Sequence, residues 1–291
     1  MLQKIKTFAV QRPVIFAVIV ILFSIISTEI PLQRLFVPYM SQQAAIYASL
    51  IVQQGLVGLG LWWLLRRFGW TRQAGFTPPV YWRVLWLGWP LVVYALLNGS
   101  DFLTGAVKID PKPGVLVLYT LVNLSTGWVE EVMGRGLVLA PILQKWGSTR
   151  KGVFAGVLVS SALFGLAHLA NLIMGRAYLV NALAQIVYCV FFGVLFAALL
   201  LRNRTIWPVM LLHALFDFAG NLGELTPGAV INGPSAPLEP LTALLTVLIF
   251  LPLFIYGLVL LRKAQPIPSE LPEAKANRQP GGKLEQEPRF S

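Results

Sequence analysis

The chain has 291 residues, 56% of them apolar and 12% charged, with a mean hydropathy of +0.70. A soluble domain carries about 25% charged residues. An ordinary soluble enzyme, a disordered protein and a fibrous repeat are therefore excluded, and a membrane protein with lipid-facing helices is implied. The net charge of +11 comes from 23 Lys and Arg against 12 Asp and Glu. The basic residues sit between apolar runs, so they read as the positive-inside pattern and not as a nucleic-acid surface.

Lys4, Lys6 and Arg12 precede an apolar run from Val14, as in a signal peptide. Thr28-Glu29-Ile30-Pro31 is a poor cleavage site and the rest of the chain is equally apolar, so an uncleaved first membrane helix is expected. A spanning helix needs roughly 20 apolar residues. Eight candidates follow, at about 14–30, 45–65, 84–98, 114–141, 152–174, 178–201, 205–222 and 240–262. The expected fold is all-α, a polytopic membrane bundle. It divides into three leading helices (1–113), a core (114–222), a last helix (223–263) and a tail (264–291). With the N-terminus inside, 18 basic residues fall on inner segments and four on outer loops (Arg34, Lys108, Lys112, Arg176), and Arg135 lies within a span. A multi-pass protein of the cell membrane with both ends cytoplasmic is expected. The tail mixes Pro266, Pro268, Pro272 and Pro280 with charges and reads as disordered. The one cysteine, Cys189, lies in an apolar run and can form no intrachain disulfide.

Ionisable groups inside a membrane are paired or functional. Here they fall in three helices: Glu130, Glu131 and Arg135 in the fourth, His168 in the fifth, and His213 with Asp217 in the seventh. Residues four apart share a helix face. Glu131 and Arg135 should therefore pair, while Glu130, turned about 100° away, is free to face a cavity. An unpaired carboxylate in a low dielectric takes up a proton more readily, which suits a general base. Gly152, Gly156 and Ser160 form a small-residue stripe that Phe164 and His168 continue, so the closely packed face also carries the imidazole. Asn171, three on from His168, is placed to hold that ring, and Asp217 is placed to fix the tautomer of His213.

Peptide hydrolysis needs water deprotonated, an oxyanion stabilised and the leaving amine protonated. A Glu with two His can do this directly. Alternatively it can hold zinc or another divalent metal, with Glu130, His168 and His213 as ligands and Asp217 beside them.

The stretches Glu130-Glu131-Val132-Met133-Gly134-Arg135, Phe164-Gly165-Leu166-Ala167-His168 and His213-Ala214-Leu215-Phe216-Asp217 resemble the signature of the CPBP family. These are membrane proteases related to the type II CAAX prenyl endopeptidase and to lysostaphin-resistance and bacteriocin-immunity (Abi) proteins. The resemblance covers about residues 115–222. It implies that Glu130 and His168 activate water, that His213 and position 217 stabilise the oxyanion or help hold a metal, and that Phe164 packs. Position 217 is Asp where the prenyl endopeptidase has Asn. An ionised Asp donates no hydrogen bond, so Asp217 stays protonated, orients His213 or contacts a metal.

The sequence has no His-Glu-x-x-His motif and no Gly-x-Ser-x-Gly elbow. The leading expectation is an intramembrane endopeptidase that cuts a membrane-associated or lipidated peptide near the cytosolic face, with the bilayer and that peptide as its partners and no nucleic acid. A proton-coupled transporter would use the same buried charges, but the inverted repeats it would favour are not evident. A non-proteolytic scaffold or immunity protein would need none of them.

Overall fold

The computed structural model describes residues 1–77, 82, 84–109, 111–229, 231, 233 and 236–267. All regular elements among them are helical. The first helix, α1 (Leu2–Gln11), stops at Arg12. Pro13 disfavours a helical Arg12, and α2 (Pro13–Thr28) restarts with that proline in its first turn. A short α3 (Gln33–Phe36) leads to α4 (Gln42–Phe68). Ser41 Oγ caps α4 by accepting the Ala44 N–H at 3.3 Å, and Gly69 closes it in the left-handed region.

Three short helices follow, α5 (Val84–Leu87), α6 (Trp89–Asn98) and α7 (Ser100–Leu103). Then α8 (Pro113–Glu131) runs into eight π-helical residues, Val132–Leu139, and on into α9 (Ala140–Trp146). Next come α10 (Arg150–Ala167), capped by Thr149 Oγ1 on the Gly152 N–H at 3.1 Å, and α11 (Leu169–Ile173). The chain ends in α12 (Leu179–Asn203), α13 (Trp207–Gly220), a 3-10 turn at Leu222–Leu225, and α14 (Pro240–Leu261).

Five stretches are long and apolar enough to cross a membrane: Pro13–Phe36, Gln42–Phe68, Arg150–Ile173, Leu179–Asn203 and Pro240–Leu261. The other three of the expected eight fall short for different reasons. The third is broken at Gly88 and leaves α6 with 10 residues, and the seventh, α13, has 14. At 1.5 Å per residue neither covers a hydrocarbon core of about 30 Å. The fourth is long enough but too polar, with Asn123, Ser125, Thr126, Glu130, Glu131 and Arg135 along it. Of the expected tail, residues 264–267 are described. There Ala264 is buried and the Ile267 N–H donates to Gly147 O at 2.8 Å. Residues 268–291 lie outside the described residues.

The bundle has two ends that differ in charge. At one end Lys145 Nζ donates to Gln11 O, Gln144 to Gln73 and the Ile206 N–H to Gly75 O. The described segments there carry Lys4, Lys6, Arg12, Arg66, Arg67, Arg72, Lys145, Arg150, Lys151, Arg202, Arg204, Arg262 and Lys263, and no acid. At the other end Arg176 clamps Glu29 through two bonds of 2.9 and 2.5 Å, and Gln43 and Tyr47 hold Glu224. That end carries Arg34, Lys108, Lys112 and Arg176 against Glu29, Asp101, Glu224 and Glu239.

Close helix approaches position the interior. A Cβ on Gly127 of α8 would stand 2.8 Å from Met210 O and 3.2 Å from Ala214 Cβ on α13. On α10, one on Gly165 would stand 2.6 Å from Ile186 O of α12. Gly152 and Gly156 are filled by Trp146 and Leu143 of α9, so that stripe packs within the chain. A Gly127→Val substitution should cost about 1–3 kcal/mol by overpacking. By contrast Gly60→Ala, with nothing within 4 Å of the new methyl, should be neutral or better. Thermal unfolding of the full chain in mild detergent checks both.

Candidate active site

Glu131 and Glu130 end α8 at the point where the backbone changes from i→i+4 to i→i+5 bonding. Glu131 has 0% exposure and Arg135 3%. Glu131 Oε1 takes Arg135 Nη1 at 3.1 Å, as the four-residue spacing leads one to expect, and also His213 Nδ1 at 2.8 Å from α13. A carboxylate only accepts, so Nδ1 of His213 carries the hydrogen. Phe164 and Phe196 hold the Arg135 guanidinium against their faces, with Cζ 4.8 and 5.1 Å from the ring centroids. Phe196 also stacks on the His213 ring at 5.0 Å.

The fixed tautomer turns Nε2 of His213 toward two more carboxylates, Glu130 Oε2 at 3.7 Å and Asp217 Oδ2 at 3.5 Å. Unlike Glu131, the Glu130 side chain is 27% exposed and lines a cavity of about 620 Å³. The separations from Nε2 are too long for direct hydrogen bonds. They leave a three-sided polar corner in which a water can bridge the groups.

His168 stands elsewhere on the same cavity wall. It caps α10, and its Nδ1 donates to Phe164 O at 3.2 Å while its Nε2 faces Cys189 Sγ at 3.6 Å. Phe164 meets both imidazoles edge-on, at 5.5 and 6.3 Å.

Three sequence expectations change here. The imidazole facing Glu130 is His213 and not His168, whose two nitrogens face Phe164 and Cys189. The residue that fixes the tautomer of His213 is Glu131, with Asp217 on the opposite nitrogen. The Asn171 side chain turns to Gln185, its Nδ2 donating to Oε1 at 3.0 Å, and it is the Asn171 backbone N–H that meets His168, donating to its carbonyl at 3.0 Å. The sequence reading also missed Phe196 and Cys189. Both sit in the long apolar run of α12, where nothing in the residue pattern separates them from packing side chains.

For the metal alternative, the donors must converge. Among the described residues no three His, Cys, Asp or Glu side chains are arranged to hold a metal ion. Glu130, His168 and His213 therefore do not fit zinc in this arrangement, with His168 turned to Phe164 O and Cys189.

The cavity draws mainly on one half of the bundle, with Phe192 and Phe196 of α12 reaching past that helix's midpoint. It takes Ser24–Glu29 from the end of α2, Tyr47–Gln54 from the start of α4, and Gly220 and Asn221 from the end of α13. Toward the basic end, Leu65, Phe68, Trp70, Leu137 and Ile206 pack into a buried apolar cluster. Glu130 lies at the midpoint of the run Pro113–Trp146.

These features define a helical membrane protein with a polar chamber that ends on a Glu–His–Asp corner. Residues 112–219 match the family described as "Type II CAAX prenyl endopeptidase Rce1-like". That stretch runs from the residue before α8 nearly to the end of α13 and contains Glu130, Glu131, Arg135, His168, His213 and Asp217, so the core of the chain is similar to a CAAX-type protease. No curated protein and no solved structure matches the chain.

Breaking a buried ion pair from one side costs about 3–5 kcal/mol, whereas replacing both partners by neutral groups costs much less. Glu131→Gln and Arg135→Met should each lower the unfolding midpoint of the full chain in detergent. The double variant should recover part of the loss, giving a coupling that a double-mutant cycle reads directly.

Proposed function

We propose that the chain is an intramembrane endopeptidase, which hydrolyses peptide bonds of membrane-associated substrates with a water held between Glu130 and His213. The observation that carries this reading is the 2.8 Å bond from His213 Nδ1 to Glu131, which leaves Nε2 facing Glu130 inside a polar cavity. The similarity of residues 112–219 to a CAAX-type protease supports the reaction class.

In this proposal the water donates one O–H to Glu130 Oε2 and lies beside His213 Nε2, with a lone pair pointing into the cavity. Glu130 takes the first proton as oxygen attacks the carbonyl carbon. The same carboxyl then returns that proton to the leaving nitrogen as the C–N bond breaks. Asp217, on the other flank of Nε2, keeps the ring from turning away from Glu130. His168 Nε2 faces the weak S–H donor of Cys189 and can exchange it for a substrate peptide N–H. No step passes through a metal. A transporter would need a path to both ends, and the apolar cluster toward the basic end argues against one.

Glu130→Gln should keep the fold, because this side chain reaches the cavity and Glu131 carries the buried pairing. It should slow cleavage by about 10²–10⁴-fold, the usual worth of a general base. Peptide cleavage with purified full-length protein, scored beside thermal unfolding, tests this. Wild-type turnover in Glu130→Gln would refute the mechanism.

A further inference from the structure

Resting on the peptidase reading, one property of the chamber reaches further: the side from which it opens. α2, α4, α10 and α14 contribute to the wall from the half nearer the charge-balanced end, α12 contributes from its middle between Gln185 and Phe196, and the rim carries Glu29, Arg176, Asn221 and Glu224. The basic end lies beyond the apolar cluster. A cluster of Lys and Arg without acids on one set of loops marks the cytoplasmic side of a membrane protein. The cavity mouth is therefore on the opposite side.

The wall chemistry indicates what enters. Six carboxamide side chains line the cavity: Gln54, Asn98, Asn123, Asn171, Gln185 and Asn221. Two pairs of them already make amide-to-amide hydrogen bonds. Asn171 Nδ2 donates to Gln185 Oε1 at 3.0 Å, and Asn221 Nδ2 donates to Asn123 Oδ1 at 3.1 Å. A carboxamide offers a donor and an acceptor in the same geometry as a peptide group. An extended polypeptide can replace one member of such a pair with its own backbone, whereas an isoprenoid or acyl chain offers these groups no hydrogen bond.

We propose that the chamber takes an extended polar peptide segment from the extracytoplasmic side. A lipid-anchored terminus presented at the cytoplasmic face, which the sequence alone suggests, is not what it admits. The rim and wall amides grip the backbone, and the segment reaches Glu130 and His213 at the closed end.

The test uses the full chain in membrane vesicles of known sidedness. In a Cys189→Ala background, Asn221→Cys at the rim and Gln185→Cys on the wall report access to the chamber. Lys151→Cys, exposed at the basic end, is the control. A membrane-impermeant maleimide should label the two chamber cysteines several-fold faster in right-side-out vesicles and Lys151→Cys faster in inverted ones. A mixture of soluble, quenched-fluorescent polar decapeptides added outside should be cleaved by right-side-out vesicles of the wild-type chain and not by inverted ones. Chamber labelling from the inverted side, or cleavage confined to inverted vesicles, overturns the proposal whether or not the two chamber variants retain activity. The expected labelling with no cleavage in either vesicle type or in detergent would overturn the peptidase reading, and the peptide with it, while the side of opening stands.

Discussion

Two partners from different places in the chain meet on one oxygen of the fully buried Glu131, and the interior is arranged to keep them there. Arg135 neutralises the carboxylate from the next turn of its own helix, and His213 reaches it from α13, 82 residues on. An uncompensated charge at this depth would cost several kcal/mol, so the three side chains form a unit that fixes how α8 faces α13. The approach is possible because residue 127 has no side chain where α8 crosses Met210 and Ala214. Phe164 and Phe196 fill the remaining space around the guanidinium and the imidazole.

From that unit the division of labour between adjacent glutamates follows. Glu131 is spent on structure and orientation. Glu130, one residue earlier, emerges on the cavity side with His213 Nε2 and Asp217 as neighbours. The π-helical segment begins directly after them and moves the rest of the strand of helix onto a different register, so that Val132–Leu139 stay buried against the body of the bundle. The Glu130 carboxylate is thus held by a rigid support, and the polar cavity above it is closed toward the basic end by hydrocarbon.

How far the sequence could be read depended on whether a feature is local. Hydropathy located α2, α4, α10 with α11, α12 and α14, because an apolar run of membrane length is a property of neighbouring residues. The Glu131–Arg135 pair and the nearness of His213 to Asp217 followed from helical spacing for the same reason. The π-helical register left no trace in hydropathy, and neither did the bond from Asn171 to Gln185. The bond between Glu131 and His213, and the roles of Phe196 and Cys189, depend on contacts between helices that no periodicity encodes. The direction in which the chamber opens needed both the charge list and the packing. The charges distinguish the two ends, but only the cavity lining shows which end it reaches.

The central claim concerns one hydrogen: Nδ1 of His213 donates to Glu131, so Nε2 faces Glu130. Only two histidines occur in the chain, and solid-state NMR of the ¹⁵N-histidine-labelled protein in lipid, with His168→Gln to assign the signals, observes them individually. The account predicts a protonated, carboxylate-bonded Nδ1 on His213 that loses this signature in Glu131→Gln. A bare Nδ1 on His213, with its only hydrogen on Nε2, would contradict it.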